Sequence, residues 1–168
     1  MALVIENGSI VTGANSYATR ADYIAYAAAE GVTIADNDTA DQQLVQAARY
    51  IDSLETRLKG YRVSRDQPLA FPRYELWIED YAWNSDEIPR QVINAQIELA
   101  LDINAGISLY NPPQSESIAV KREKIDMAVE VEYAVGNQSP ITRRSKSLRS
   151  LAALMKGNGL LSVALVMS

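Results

Sequence analysis

The spacing of apolar residues predicts helices in the first part of the chain. Apolar positions recur every three or four residues over about 20–30, 39–59 and 90–105, which is the period of an amphipathic helix. The third segment has so wide an apolar surface that we expect a central helix with neighbours on several sides. A further amphipathic pattern predicts a last helix over 140–156.

Residues at the ends of these segments predict where the helices begin and end. Thr and Asp side chains cap the free N–H groups of a first turn, proline suits that turn, and glycine often follows the last one. The predicted starts are Thr19, Asp38 or Thr39, and Pro89, and the predicted stops are Gly31, Gly60 and Gly106.

The remaining segments lack a helical period. Residues 61–88 are irregular and rich in aromatic side chains, and Pro68 and Pro72 bias the residues before them away from helix, so we expect an ordered loop there. Over 117–134 the period changes to two, which indicates an extended β-hairpin or arm. Residues 157–168, "GNGLLSVALVMS", form a glycine turn that leads into an apolar, β-prone strand.

Together these patterns predict a mainly α fold: a small helical bundle with an extended β segment and a C-terminal apolar strand. A length of 168 residues suits one domain, with an N-terminal arm over 1–14 and a helical body over 15–110. The tail at 157–168 would either complete the chain's own core or contact a neighbouring molecule, with Gly157 and Gly159 as its hinge.

Composition argues against several classes of function. The chain has no cysteine and no histidine, which excludes disulfides, Cys-based zinc sites and every Ser-His or Cys-His catalytic pair. We therefore expect no enzyme, no catalytic residue, no cofactor and no metal. The net charge of −5 is unlike that of a duplex-DNA binder. We expect neither a signal peptide nor a membrane span, because the N-terminus lacks a basic region and no window holds the roughly 20 apolar residues of a span.

Three clusters of side chains are candidates for binding. "DNDTAD" over 36–41 is similar to the start of a calcium loop but lacks its glycine and glutamate, so helix capping is the favoured role. Aromatic residues between 61 and 83 suit base stacking, although interleaved carboxylates favour packing over the helices or a protein contact. The basic cluster would touch DNA phosphates, contact an acidic partner, or form the solvated face of the last helix. Its members are Arg143, Arg144, Lys146 and Arg149.

Short motifs between residues 48 and 134 resemble those of a known family. "ARYIDSL" is followed by "GYRVSRDQPLAFPR", by "IPRQVINAQIELAL" and later by "VKREKIDMAVEVEYA". In this order and spacing they are similar to the small head–tail connector proteins (adaptor or head-completion proteins) of tailed bacteriophages. Phe71 stands where that family usually has Trp. Some relatives are described as DnaT-like single-stranded DNA-binding proteins.

The resemblance implies a structural virion protein at the head–tail junction, made in the host cytoplasm. Its subunits would form a dodecameric ring beneath the portal protein, extend the channel through which genomic DNA passes, and offer a platform to the tail or the next connector. Neighbouring copies or the portal would be contacted through the tail and the middle loop. The candidate interface residues are Leu160, Leu161, Val163, Leu165, Val166, Met167, Phe71, Arg73, Trp77 and Trp83.

A second hypothesis is that the chain is a single-stranded DNA-binding accessory protein of replication. It predicts an affinity that falls with salt and that is lost when Arg143 and Arg144 are changed.

Overall fold

The computed structural model describes residues 2–110 and 145–156, which contain helices and two small β pairs. The helices are α1 (Arg20–Ala29), α2 (Asn37–Ser53), α3 (Arg90–Asn104) and α4 (Ser145–Ala152), with a 3₁₀ turn at Glu55–Arg57. The antiparallel pairs are β1 (Tyr61–Arg62) with β2 (Arg73–Tyr74), and β3 (Trp77–Ile78) with β4 (Tyr81–Ala82). The predicted β segment at 117–134 and the tail at 157–168 lie outside the described residues.

The prediction of several helices is confirmed, but the fold is mixed rather than mainly α, with two small antiparallel strand pairs. Both described strand pairs lie in the segment that we predicted to be a loop. Each strand has only two residues, whereas an alternating pattern needs at least about four residues to be recognised. Periodicity therefore had no means of detecting them.

The ends of α1 and α3 follow the sequence prediction. Thr19 Oγ1 accepts a hydrogen bond from Asp22 N at 3.1 Å and so caps α1, while Pro89 precedes the first residue of α3. Gly31 and Gly106 follow the two helices with φ of +74° and +78°. Beyond each glycine, the next N–H turns back to a carbonyl of the last helical turn, which closes both helices.

Helix α2 differs from its prediction at both ends. Its cap is Asp36, whose Oδ1 accepts from Thr39 N at 2.7 Å, so Thr39 lies inside the helix. The helix ends at Ser53 rather than near Gly60, because Leu54 N bonds three residues back and a 3₁₀ turn follows. Residues 58–60 are thereby released for backbone pairing elsewhere.

Helix α3 is the central helix, as predicted, and packs against α1, α2 and α4. Its buried apolar residues are Val92, Ala95, Ile97, Leu99 and Ala100. Burial of apolar side chains between these helices stabilises the fold by about 25 cal/mol for each Å² of apolar surface removed from water.

One amide within this core is fully buried and fully hydrogen-bonded. Gln96 Oε1 accepts from Tyr17 N and from Ala18 N, both at 2.8 Å. Gln96 Nε2 donates to Ser16 Oγ at 2.7 Å and to Leu44 O at 2.9 Å. The side chain therefore ties the segment before α1 to both α2 and α3.

The segment that we predicted as an N-terminal arm is held against the body over its described residues. The buried Glu6 carboxylate accepts from three backbone N–H groups, those of Gly8 at 2.9 Å, Ile10 at 3.0 Å and Val11 at 2.9 Å. Glu6 N donates to Ser16 O at 2.8 Å. These bonds fix a compact turn against the start of the helical body.

Candidate nucleic-acid interface

A cleft of about 400 Å³ opens beside the first strand pair. Two lysines, one glutamate and two aromatic residues share it, and we refer to it as the lysine–aromatic cleft. Its lining residues are Lys59, Gly60, Tyr61, Glu75, Trp77 and Lys156.

Exposed aromatic rings form one part of the cleft and its surroundings. Tyr61 and Tyr74 are directly opposite each other in the β1–β2 pair, with ring centres 5.6 Å apart and 36° between the ring planes. Tyr61 is 55% exposed and Trp77 is 56% exposed. Rings of this size that stay in contact with water offer flat surfaces on which another planar group can stack.

Backbone pairing brings the two lysines together from distant parts of the chain. Leu58 and Met155 form an antiparallel bridge just beyond α4. On either side of this bridge, Lys59 N and Lys156 N each donate to a carbonyl of the opposite segment, at 2.8 and 2.7 Å. The end of α4 is thus attached through backbone hydrogen bonds to the segment that precedes β1.

Both ammonium groups keep capacity to bind an anion. Lys59 Nζ donates to Ala153 O at 2.8 Å, and Lys156 Nζ donates to Thr56 O at 3.4 Å. Lys156 Nζ also lies 5.9 Å from the centre of the Tyr61 ring. Because a lysine ammonium has three N–H donors, these carbonyl bonds leave further donors on each group.

A glycine makes the close approach of β1 and β2 possible. Gly60 has φ of +67°, and a Cβ at this position would lie 2.5 Å from Tyr74 O. Any other residue would be strained by the backbone conformation and would also push β2 away. The position of the Tyr61 and Tyr74 rings therefore depends on this glycine.

A buried arginine holds the backbone on which the cleft is built. Arg73 Nε donates to Lys59 O at 2.8 Å, Nη2 to Gly60 O at 2.8 Å and Nη1 to Ala70 O at 3.1 Å. Burial lowers the pKa of Arg73, and the Glu55 carboxylate 3.6 Å away opposes that effect. Arg73 thus joins the segment before β1 to the segment before β2.

Glu55 binds a second arginine in the same region. Arg62 donates to both carboxylate oxygens of Glu55, with Nη2 at 2.7 Å, and Nη1 donates to Gln67 O at 3.0 Å. The hydrogen bonds from Arg62 lower the pKa of Glu55 and raise that of Arg62. Arg62 and Arg73 therefore serve the internal structure and are poorly placed to bind phosphate.

A tyrosine–aspartate pair fixes the loop at 67–73 to α2. Tyr17 Oη donates to Asp52 Oδ1 at 3.0 Å, and Ala70 N donates to the same oxygen at 2.8 Å. Phe71 N in turn donates to Tyr17 Oη at 3.2 Å. Burial raises the pKa of Asp52 and raises the pKa of Tyr17 well above its usual range. The motif residues around 50–52 and 67–73 therefore have an internal, structural role.

The predicted interface residues of the middle loop divide into three kinds. Phe71 and Arg73 are buried and make their contacts inside the subunit. Trp83 is half-buried, and its Nε1 donates to Glu87 O at 3.2 Å. Trp77 alone among these four lines the lysine–aromatic cleft.

Most of the other predicted site residues lie outside the described part. Arg149 is exposed on α4. The positions without a described side chain are Arg143, Arg144, Lys146, Leu160, Leu161, Val163, Leu165, Val166 and Met167.

Sequence reasoning missed the cleft itself. The aromatic residues between 61 and 83 were its signal in the sequence, and they gave no indication of the two lysines. Lys59 and Ala153 are 94 residues apart in the chain, so no local pattern predicted that Lys59 and Lys156 would meet.

The acidic segment 36–41 has the structural role that we favoured. Asp36 caps α2, and Asp41 pairs with Arg20 through two hydrogen bonds of 2.7 and 2.6 Å. Among residues 2–110 and 145–156, no group of three or more carboxylates is placed to hold a metal ion. No helix in this part of the chain is long and apolar enough to cross a membrane.

Comparison with known families shows the family to which the chain belongs. The family model described as "Putative DnaT-like ssDNA binding protein" matches residues 1–166. The chain belongs to this family. No match was found among curated proteins or among solved structures.

Membership in the DnaT-like family corrects the connector hypothesis. The assignment to head–tail connectors is wrong. The assembly and partners that it implied also have no support, namely the dodecameric ring, the portal protein, the tail or next connector, and a DNA channel. The expected place in the virion depended on that assignment alone. The motif residues around 50–52 and 67–73 hold the loop at 67–73 against α2 inside one subunit, so these two motifs have a role in the fold.

Proposed function

We propose that this protein binds single-stranded DNA in the lysine–aromatic cleft. Two observations support the proposal. The family to which the chain belongs is described as binding single-stranded DNA. The cleft combines exposed aromatic rings with lysines, which is the combination used by sites that bind single strands.

The chemistry of the cleft suits an unpaired strand. A base that is not paired can leave its stack and lie on Tyr61 or Trp77, and such stacking contributes about 1–3 kcal/mol for each base. Lys59 and Lys156 line the same cavity, and their ammonium groups can bind the adjoining phosphates. Because the net charge is −5, binding has to arise from this local positive charge rather than from the molecule as a whole.

Fluorescence anisotropy with a labelled single strand of about 20 nucleotides tests the proposal, since a stacking site covers roughly 4–16 nucleotides. We expect Trp77→Ala to weaken binding about 5- to 150-fold, which corresponds to the loss of one stacked base. Tyr81→Ala is the matched control, because Tyr81 is exposed on the neighbouring strand and does not line the cleft. Far-UV circular dichroism of each variant checks that its fold is kept.

Salt dependence tests the role of the lysines separately. Removing one phosphate contact from a single-strand complex lowers the slope of log affinity against log salt by about 0.7. We expect this reduction for Lys156→Gln and no change for Arg65→Gln, which alters an exposed cation outside the cleft. If the protein shows no salt-sensitive binding to single strands, the proposed function is refuted.

The basic cluster around 143–149 is the competing location on the same protein. If changing Arg143 and Arg144 to Gln abolishes binding while the cleft variants bind normally, the site lies in the basic cluster and not in the cleft.

We also propose that the protein is a single domain without enzymatic activity and without a cofactor. This proposal rests on its length and on the absence of histidine and cysteine.

A further inference from the structure

Glu75 is an acidic residue in the lining of the cleft, and a general affinity for DNA does not explain its presence there. A carboxylate repels phosphate, so a cleft that only attracted a nucleic-acid backbone would have a neutral or basic residue here. Glu75 nevertheless lines the same cavity as Lys59, Tyr61, Trp77 and Lys156.

The backbone at this residue is also unusual. Glu75 lies between β2 and β3 with φ of +54°, in the left-handed region that favours glycine. It is exposed and makes no hydrogen bond or ion pair within the described residues. Glu75 is therefore a residue of the cleft lining with a strained backbone, and its carboxylate has no partner in the described part of the chain.

Hydrogen-bond chemistry identifies what such a carboxylate would recognise. An ionised carboxylate only accepts hydrogen bonds, and its two oxygens match two neighbouring N–H donors. Guanine is the DNA base whose Watson–Crick edge carries two neighbouring donor groups, N1–H and the N2 amino group. Cytosine and adenine offer one amino group beside an acceptor nitrogen, and thymine offers one N–H between two carbonyls.

We propose that Glu75 makes the lysine–aromatic cleft prefer guanine over the other bases. The base would stack on the aromatic residues, while its Watson–Crick edge donates to the Glu75 carboxylate. This edge is accessible only in an unpaired strand. The inference rests on the proposed function of the cleft.

Short oligonucleotides with a single variable base test the preference. Each is a nonamer of thymidines with guanine, cytosine, adenine or thymine at its centre, which avoids structures formed by runs of guanine. Affinities are measured by competition against a labelled thymidine 20-mer. A bidentate contact of this kind discriminates against a wrong base by about 5- to 150-fold, so we expect the guanine nonamer to bind tighter by that factor.

Glu75→Gln and Glu79→Gln form a matched pair of variants. Both residues are exposed, have positive φ and lose one negative charge, but Glu79 does not line the cleft. We expect Glu75→Gln to bring the guanine nonamer to the affinity of the thymine nonamer. Glu79→Gln should keep the full preference.

The outcomes separate this inference from the function on which it rests. Equal affinity of the wild type for all four nonamers, with salt-sensitive binding of the thymidine strand, overturns the guanine preference and leaves single-strand binding in place. A preference that survives Glu75→Gln also overturns the role of Glu75. If the thymidine strand itself does not bind, the proposed function fails and the inference fails with it.

Discussion

Replacement of Gly60 by alanine tests whether the close approach of β1 and β2 shapes the cleft. The new Cβ would lie 2.5 Å from Tyr74 O, well inside normal contact distance, and the residue would keep φ of +67°. A non-glycine residue in this conformation costs about 1–2 kcal/mol. Forcing an extra carbon into a closely packed position costs about a further 1–3 kcal/mol.

Gly106→Ala is the control that separates the two effects. Gly106 has a similar φ of +78°, but a Cβ there would meet no atom of the described residues within 4 Å. Alanine also restricts the unfolded chain by the same amount at both positions, so this contribution cancels in the comparison. We expect Gly60→Ala to lower the free energy of unfolding by about 1–3 kcal/mol more than Gly106→Ala does.

Urea unfolding followed by far-UV circular dichroism gives both free energies. If the two variants are destabilised equally, the contact with Tyr74 O costs nothing and the reasoning about the strand pair is refuted. If Gly60→Ala is the more destabilised, it should also bind single-stranded DNA more weakly than Gly106→Ala does, because β2 carries Tyr74 next to the cleft.

Two further predictions concern a buried amide and a partly exposed ion pair. Gln96→Leu leaves the N–H groups of Tyr17 and Ala18 without their acceptor, and at about 1–3 kcal/mol for each group it should destabilise the fold by roughly 2–6 kcal/mol in urea unfolding. The control is Gln91→Leu, because the Oε1 of Gln91 has no hydrogen-bond partner among the described residues. Equal losses of unfolding free energy in the two variants would contradict the prediction. The lowered pKa of Glu55 means that its stabilisation is complete above its ordinary value of 4.5 and is lost as the pH falls through the folded value. Wild type should therefore lose more stability than Glu55→Gln between neutral and acidic pH, and parallel pH profiles would show that the Arg62 pair does not stabilise the fold.

Local chemistry made the helix ends predictable. Thr19, Gly31, Pro89 and Gly106 each act within one turn of the chain, so their neighbours in sequence contain the information needed. The start of α2 was less certain because Asp36, like the residues we preferred, can accept a hydrogen bond from a first-turn N–H. Only the backbone conformation, extended at Asp36, decides which of them caps the helix.

The β pairs and the cleft depend on contacts that sequence patterns do not encode. Arg73 joins β1 to β2 through carbonyls that belong to Lys59 and Gly60, and carbonyl groups are the same in every residue. The bridge between Leu58 and Met155 likewise pairs backbone with backbone. Side-chain periodicity carries no trace of such bonds, which is why Trp77 was identified as a candidate while its lysine neighbours were not.

The bridge between Leu58 and Met155 also has a consequence for protein synthesis. Residues 59–61 and 75–77 leave the ribosome early, but the cavity lacks one of its walls until Lys156 follows them. A nascent chain would therefore display Tyr61 and Trp77 for most of translation without a complete binding site. The single-strand site that we propose is therefore complete only after Lys156 has been made.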